Sequence, residues 1–336
     1  MDAASLHESL LIIDGHCDSV LDAAGISATN PAMGIRDLGQ RGNEGHVDLP
    51  RLLEAGVSAQ FFALFTEDRH VAQARKHTWM LLETMEAFLA GNPDIFLGLR
   101  AADILRAKAE GRLAAFLAIE GGEAIGESLE ELRAFYKRGV RLMTLTWNRR
   151  NAIARGVGDP GKGGLTGFGR TVVAEMERLG MIVDVSHLSD EALDDVLGIA
   201  SRPLVASHSN AKAIQDHRRN LSDTQIKGIA ATGGLIGLTF AGIFIDADPV
   251  KVTLERTLDH LDSLLSAVGE DHVGLGTDFD GFTAPYGMVM PDCTKLPELT
   301  SGMLRRGYAE ATIRKVMGQN WLRVVGEILG YAPAGA

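Results

Sequence analysis

Apolar runs of four to eight residues, rich in Val, Ile and Leu, recur along the chain and alternate with longer stretches whose apolar positions fall at helical spacing. Such runs are strands covered on both faces, as in a parallel sheet, and lack the in–out alternation of a half-exposed one. The pattern predicts strands at 11–18 (LIIDGHCD), 57–65 (VSAQFFALF), 113–122 (LAAFLAIEGG), 141–147 (RLMTLTW), 181–187 (MIVDVSH), 203–209 (PLVASHS), 235–240 (LIGLTF) and 272–281 (HVGLGTDFDG). Between them, Val71 to Leu89 has helical spacing that stops at Gly91-Asn92-Pro93, another helix ends near Gly180, and a third runs from Val252 to Val268. Ser128 with Glu131 three residues on has the form of a capping box, and Ser189 stands where a helix cap is needed. The segments after residue 300 are closing helices. Eight strands, each followed by helical chain, predict a (β/α)8 TIM barrel, with residues 1–336 as one domain and no repeat beyond the βα alternation itself.

Three connections are too long for plain turns. They are the Gly-, Asn- and Arg-rich stretch from Gly25 to Asp48, the segment 148–164 (NRRNAIARGVGDPGKGG), and 208–223 (HSNAKAIQDHRRNLSD). Loops of this length on a compact scaffold are lids or binding walls.

Five of the predicted strands end in residues that bind metals. In a closed barrel all strand C-termini open on one face, so His16, Asp18, Glu120, His187, His208 and Asp278 would converge there. Three imidazoles and three carboxylates suit zinc or a similar divalent ion, held as a pair. His16 and Asp18 lie two apart and share a strand face, which turns Cys17 to the other face as a packing residue. An isolated HxD would be weak, since capped and core histidines are common; the repetition at four other strand ends gives it weight. Glu120 could bridge two ions, with His16 and Asp18 on one and His187 and His208 on the other. Gly121-Gly122 would leave backbone room for a ligand or simply make a tight turn. Asp278 sits where a general base or proton shuttle would serve, with Asp280 as the competing carboxylate or a helix cap. His7, His46, His70, His77, His217, His260 and His272 fall in helices, loops or at a strand start and are surface or structural. Arg218 and Arg219 are a solvated pair on a bland reading; near two metals, a guanidinium would suit a substrate carboxylate.

Composition narrows the partners. With 46% apolar and 23% charged residues there is material for a large core and no disordered bias. A net charge of −11 argues against nucleic acid, whose binding rests on Lys and Arg neutralising phosphates. No 18-residue apolar run or signal-like N-terminus occurs, so no membrane association and a cytoplasmic location are expected. Two cysteines, Cys17 and Cys293, make no disulfide framework.

The motifs DGHCD, IEGGE, MTLTWN, VDVSH, SHSNAKAI…HRRNLSD and GLGTDFDG together resemble the membrane (renal) dipeptidase family, peptidase family M19 of the amidohydrolase superfamily, from residue 14 to the GQNWLRVV at 318–325. The resemblance implies a (β/α)8 barrel with a binuclear zinc centre that hydrolyses dipeptides, some bacterial members preferring a D-residue at the C-terminal position. It assigns His16 and Asp18 to one zinc, His187 and His208 to the other, and Glu120 to both. It makes Asp278 the residue that moves a proton from a metal-bridging hydroxide to the leaving amine, and Arg219 the grip on the substrate carboxylate. It also suggests a homodimer. One position departs: the histidine that usually follows strand 4 is Trp147 here, an uncharged donor at best, with Asn148 and Asn151 as nearby candidates for contacting substrate. The alternatives are an amidohydrolase acting on another small amide, lactam or ester, and a non-catalytic metal-dependent binding protein.

Overall fold

Among the described residues nine short strands form the sheet, every pair parallel: β1 (Ile12–Cys17), β2 (Val57–Phe65), β3 (Ile95–Leu97), β4 (Leu113–Glu120), β5 (Val140–Thr144), β6 (Ile182–Asp184), β7 (Val205–Ala206), β8 (Leu235–Leu238) and β9 (Val273–Leu275). The computed structural model describes residues 2–27, 34–282 and 284–331. Neighbours run β2-β1-β9-β8-β7-β6-β5-β4, and β2 pairs with β4 along Ala59–Phe65 and Ala114–Glu120, which closes the barrel. The eight barrel strands are those expected from the sequence.

β3 was not expected. Its three residues pair with Leu113–Ala115 at the start of β4, while β5 takes up the same strand from Leu117 onward. A three-residue IFL segment is too short to carry a period, so pattern alone merges it with the loop. It leads into a helix over Ala101–Glu110 that closes at Gly111, φ 64°, a left-handed position suited to glycine.

The paired strands are also shorter than the apolar runs. β7 spans two residues of a seven-residue run, and β6 stops at Asp184, so His187 and His208 lie just past the ladder. There side chains join the neighbouring strands in holding the backbone: Asp184 Oδ1 accepts from Ser186 N and Ser207 N, and Ser186 Oγ from His208 N, beside Val185 N on Val205 O and Ser209 N on Gly237 O.

The barrel is filled and then plugged from its N-terminal end. Ile13, Phe61, Phe116, Leu142, Ile182, Val205 and Leu235 pack with Trp321, Val324 and Val325 from the helix Asn320–Leu329, and with Ala101, Ile104 and Ala107 of the helix after β3. Trp321 is fully buried, and its indole N–H donates to Leu275 O at 2.7 Å. A Cβ on Gly15 would fall inside the indole ring's contact shell, so that position requires glycine. Burial of each such large side chain stabilises by about 1.5–3 kcal/mol, so the plug fixes the strand barrel beneath the open rim. The outward strand faces pack under surrounding helices, including Ala74–Gly91, Gly167–Leu179 and Leu254–Val268. Ser189 caps its helix by accepting from Ala192 N. The box at Ser128 is half made: Ser128 accepts from Glu131 N, whereas the Glu131 carboxylate accepts from Trp79 Nε1. Among the described residues no helix is long and apolar enough to cross a membrane. Of the long stretch after β1 read as a lid or binding wall, residues 28–33 lie outside the described residues.

Candidate metal centre

The six predicted residues meet at the C-terminal rim. His16 reaches it through a register shift in β1 between Asp14 and Cys17. Gly15 still faces the plug, His16 turns to the rim, and Cys17 packs in the outer core. Around His16 Nε2 stand Glu120 Oε2 at 3.5 Å, Asp18 Oδ2 at 3.6 Å and Asp278 Oδ1 at 3.8 Å. The other Glu120 oxygen, Oε1, lies 3.1 Å from His187 Nε2 and 3.7 Å from His208 Nε2, and those two nitrogens are 2.9 Å apart. Glu120 thus stands between two halves of one cluster. Ligand-type atoms of His16, Glu120 and His208, and of His16, Asp18 and Asp278, lie close enough to share an ion.

Three polar atoms test whether a cation fits. Both ring nitrogens of His16 and Oδ1 of Asp18 are buried with no hydrogen-bond partner, an arrangement that costs about 1–3 kcal/mol per group unless something else binds them. The donor set, imidazole nitrogen and carboxylate oxygen, is that of zinc and similar ions. The residues therefore fit a metal.

Charge at the centre is unevenly spread. Burial lowers His187 to about 4, with Arg219 adding to it, and burial with His16 and Arg219 holds His208 well below the usual imidazole range. Both rings are neutral at pH 7 and offer lone pairs. Burial opposes the proton on His16, but Glu120 and Asp18 outweigh it and hold that imidazole well above its ordinary value. Burial and Glu120 raise Asp18 to about 6, and burial with Asp18 and Glu120 raises Asp278 well above the carboxylate range. A cation would displace the His16 proton and relieve the crowding of carboxylates.

The rim is braced from below by two buried carboxylates that interrupt apolar strands. Asp14 accepts from Thr277 N at 2.8 Å and Thr277 Oγ1 at 2.7 Å, fixing the chain just before Asp278. Asp184 does the same between β5, β6 and β7. A buried Asp within a strand needs such partners, and this was the signal available in IIDGH and IVDVSH. Two site residues carry left-handed backbone, His187 (φ 69°) and Asp278 (φ 63°), as does Asp280 (φ 65°). Such conformations cost about 1–3 kcal/mol and persist only when surroundings enforce them. For His187 the enforcement comes from the loop after β5: Val157 N donates to His187 O at 2.8 Å, and Nδ1 of the ring meets Asn148 Oδ1 at 2.9 Å.

The remaining candidates separate. Asn148 orients His187 through its Oδ1. Asn151 is occupied: Oδ1 accepts from Ile153 N and Ala154 N, and Nδ2 donates to Leu145 O and Glu123. Every donor and acceptor of the Asn151 amide is thus taken, which departs from its expected contact with substrate. Trp147 stands at the rim with its ring 5.2 Å from Phe65 and 5.9 Å from His187, under the Arg149 guanidinium at 5.0 Å. Arg149 is fixed by Asp68 and Glu123, both at 2.7 Å. Arg218 is exposed, whereas Arg219 is buried, with Nη2 donating to His208 O at 3.1 Å. Burial lowers its pKa to about 10, so it remains a cation at pH 7. Asp280 is a loop anchor, accepting from Ser19 Oγ and His46 N and pairing with Arg36, each at 2.5 Å. Gly121, at φ 97°, and Gly122, against Leu145 O and Ile153, make the tight turn.

Gly281 was overlooked. A Cβ there would fall inside contact distance of Asp18 Oδ2 and Asp278 Oδ1, two short, buried side chains with little room to retreat. Gly281→Ala should therefore lower kcat/KM on the order of 10²-fold, the usual result of displacing reacting groups by about 1 Å, with the thermal midpoint close to that of the parent. Steady-state kinetics beside thermal denaturation check this; an unimpaired variant would show that the two carboxylates need no such clearance.

A closed (β/α)8 barrel with a cluster of imidazoles and carboxylates at its catalytic rim defines a metal-dependent hydrolase of the amidohydrolase-like class. The family model described as membrane dipeptidase (peptidase family M19) matches residues 1–333. The chain belongs to that family and is a metallo-dipeptidase. It is 32% identical over 296 residues to "Dipeptidase tcpJ" of Claviceps purpurea (strain 20.1), covering 84% of this chain and 69% of that one. A metallo peptidase from Rhodobacter sphaeroides, solved with a phosphinate mimic of the dipeptide L-Ala-D-Ala, superposes with a TM-score of 0.85 at 32% identity, covering 95% of this chain and 99% of that one. The family M19 metallo peptidase described as dipeptidase AC gives 0.86 at 33% identity, covering 96% and 99%.

Proposed function

We propose that this enzyme is a zinc-dependent dipeptidase with a binuclear centre, and that its substrates include L-Xaa-D-Xaa dipeptides. The observation that carries this reading is the position of Glu120, one oxygen toward His16 and the other toward His187 and His208. His16 and Asp18 would hold one ion, His187 and His208 the second, and Glu120 both. When bound, such ions polarise the scissile carbonyl and make water nucleophilic at neutral pH.

The chain's own residues do the rest. Asp278, buried at the rim with its proton affinity raised, takes a proton from the attacking water and returns it to the leaving amine. Arg219 is held beneath the rim by His208 O and would take the substrate's free carboxylate, which limits the site to peptides that end where the guanidinium waits. Trp147 and Phe65 form an apolar wall beside His187, and the indole N–H is the one donor that wall brings to a developing oxyanion. The Rhodobacter sphaeroides relative binds a mimic of L-Ala-D-Ala, which makes that dipeptide the first substrate to try.

The test is a panel of L-Xaa-L-Xaa and L-Xaa-D-Xaa dipeptides with zinc-loaded enzyme, beside their C-terminal amides and tripeptides. Turnover of free dipeptides and rejection of amides and longer peptides is expected. No turnover of any dipeptide above background, or equal turnover of the amides, would defeat the assignment.

A further inference from the structure

Asp184, at the end of β6, is fully buried, and four donors converge on it. Oδ1 accepts from the backbone N–H of Ser186 (3.0 Å) and of Ser207 (2.9 Å); Oδ2 accepts from Thr144 Oγ1 and Ser207 Oγ, both at 2.6 Å. Ser207 has a single hydroxyl proton, and at 2.6 Å from a carboxylate oxygen that proton is committed. Its oxygen then has only lone pairs to offer His208 Nδ1, which lies 2.8 Å away. The nearby Ser186 Oγ, 3.4 Å from Ser207 Oγ, already accepts from His208 N at 3.2 Å. Counting protons along the chain leaves one arrangement: Nδ1 of His208 carries the hydrogen, and Nε2 is bare toward Glu120 and His187.

His187 differs. Its Nδ1 meets the neutral amide oxygen of Asn148 on a loop, not a carboxylate relayed through a strand. The two imidazoles of one half-site thus have unequal supports, and the rigid one belongs to His208.

We propose that Asp184 and Ser207 are positioning residues that set the tautomer and tilt of His208, and through it the affinity for the cation shared with His187. The proposal rests on the assignment of His208 as a ligand. A second partner on a ligating imidazole fixes which nitrogen is free, and loss of such a partner costs about 10–100-fold in metal affinity.

Two variants of the full-length protein test it. In Ser207→Ala the acceptor vanishes, and one of the two zinc equivalents should bind 10–100-fold more weakly in competition with a chromogenic chelator. Asp184→Asn keeps the shape but reverses the relay. With its amide oxygen on the two backbone N–H groups, its NH₂ donates to Ser207, which frees the serine proton for Nδ1 and drives the His208 hydrogen to Nε2. Long-range ¹H–¹⁵N spectra of the metal-free protein should show His208 as the Nδ1–H tautomer in the parent and as Nε2–H in Asp184→Asn. A purely structural carboxylate would move stability without moving the tautomer. The inference is overturned if the parent's His208 is already Nε2–H, or if both variants keep the Nδ1–H form and full affinity for both equivalents. A parent that holds no zinc tightly would instead defeat the metal assignment, with the tautomer still deciding the relay.

Discussion

Asp278→Asn should reduce kcat on the order of 10²–10⁴-fold, the range contributed by a positioned acid–base group, while the protein keeps its full complement of metal. The substitution isolates proton transfer because almost nothing else changes. Asn is isosteric with Asp and shares its tolerance of left-handed backbone, so the φ of 63° is retained without added strain. The chain on either side stays anchored, with Thr277 on Asp14 and Asp278 N on His16 O. His16, Asp18 and Glu120 are untouched, so metal content after reconstitution should match the parent. An amide can neither accept the proton from water nor return it to the amine, and the pH profile should lose whatever limb the carboxylate contributes. Turnover within threefold of the parent would remove Asp278 from the reaction. A parallel loss of metal would recast it as a ligand, which its place with His16 and Asp18 would allow. The same variant separates an enzyme from a metal-dependent binder, which would have no turnover to lose.

How far the sequence carried depends on the length of the signal. The eight barrel strands were legible because each buries both faces and so appears as an unbroken apolar run. The closure of β2 on β4 follows from the same fact, since a strand apolar on both sides has no tolerable edge. The six rim residues were legible because polar ligands at the ends of such runs have no packing reason to be there. What escaped were features defined by contact. β3 has three residues and no period, and is recognisable only by its place beside Leu113–Ala115. Gly281 looks like any turn glycine until its neighbours prove to be Asp18 and Asp278. Asn148 and Asn151 were named for proximity along the chain, but Asn148 turns its Oδ1 to His187 and the half-buried Asn151 amide bonds the loop itself, contacts that spacing along the chain does not reveal. Asp278 was favoured over Asp280 because it directly follows the strand's GLGT run, and what position could not supply was the role of the latter, which Arg36, Ser19 and His46 make an anchor.

Glu120→Gln should have the larger effect on the metal centre itself. The two carboxylate oxygens face different halves, Oε2 toward His16 and Oε1 toward His187 and His208, so replacing either with NH₂ turns an acceptor into a donor on one side. Neither amide orientation is neutral. With NH₂ toward His187 and His208, the bare nitrogens there gain a hydrogen-bond donor that closes the space a cation would occupy. With NH₂ toward His16, the negative charge that favours the protonated imidazole is gone and a donor faces the ring instead. At least one equivalent of zinc should be lost on dialysis, and with it several kcal/mol of transition-state stabilisation, which is on the order of 10³-fold or more in turnover. Backbone pairing of Glu120 with Phe65 and Thr144 does not involve the side chain, so the barrel should remain closed and the circular dichroism unchanged. Metal analysis by mass spectrometry beside kinetics distinguishes the outcomes. A Gln variant that retains two equivalents and turns over within tenfold of the parent would show that no residue needs to serve both ions, and the binuclear reading would fall with it.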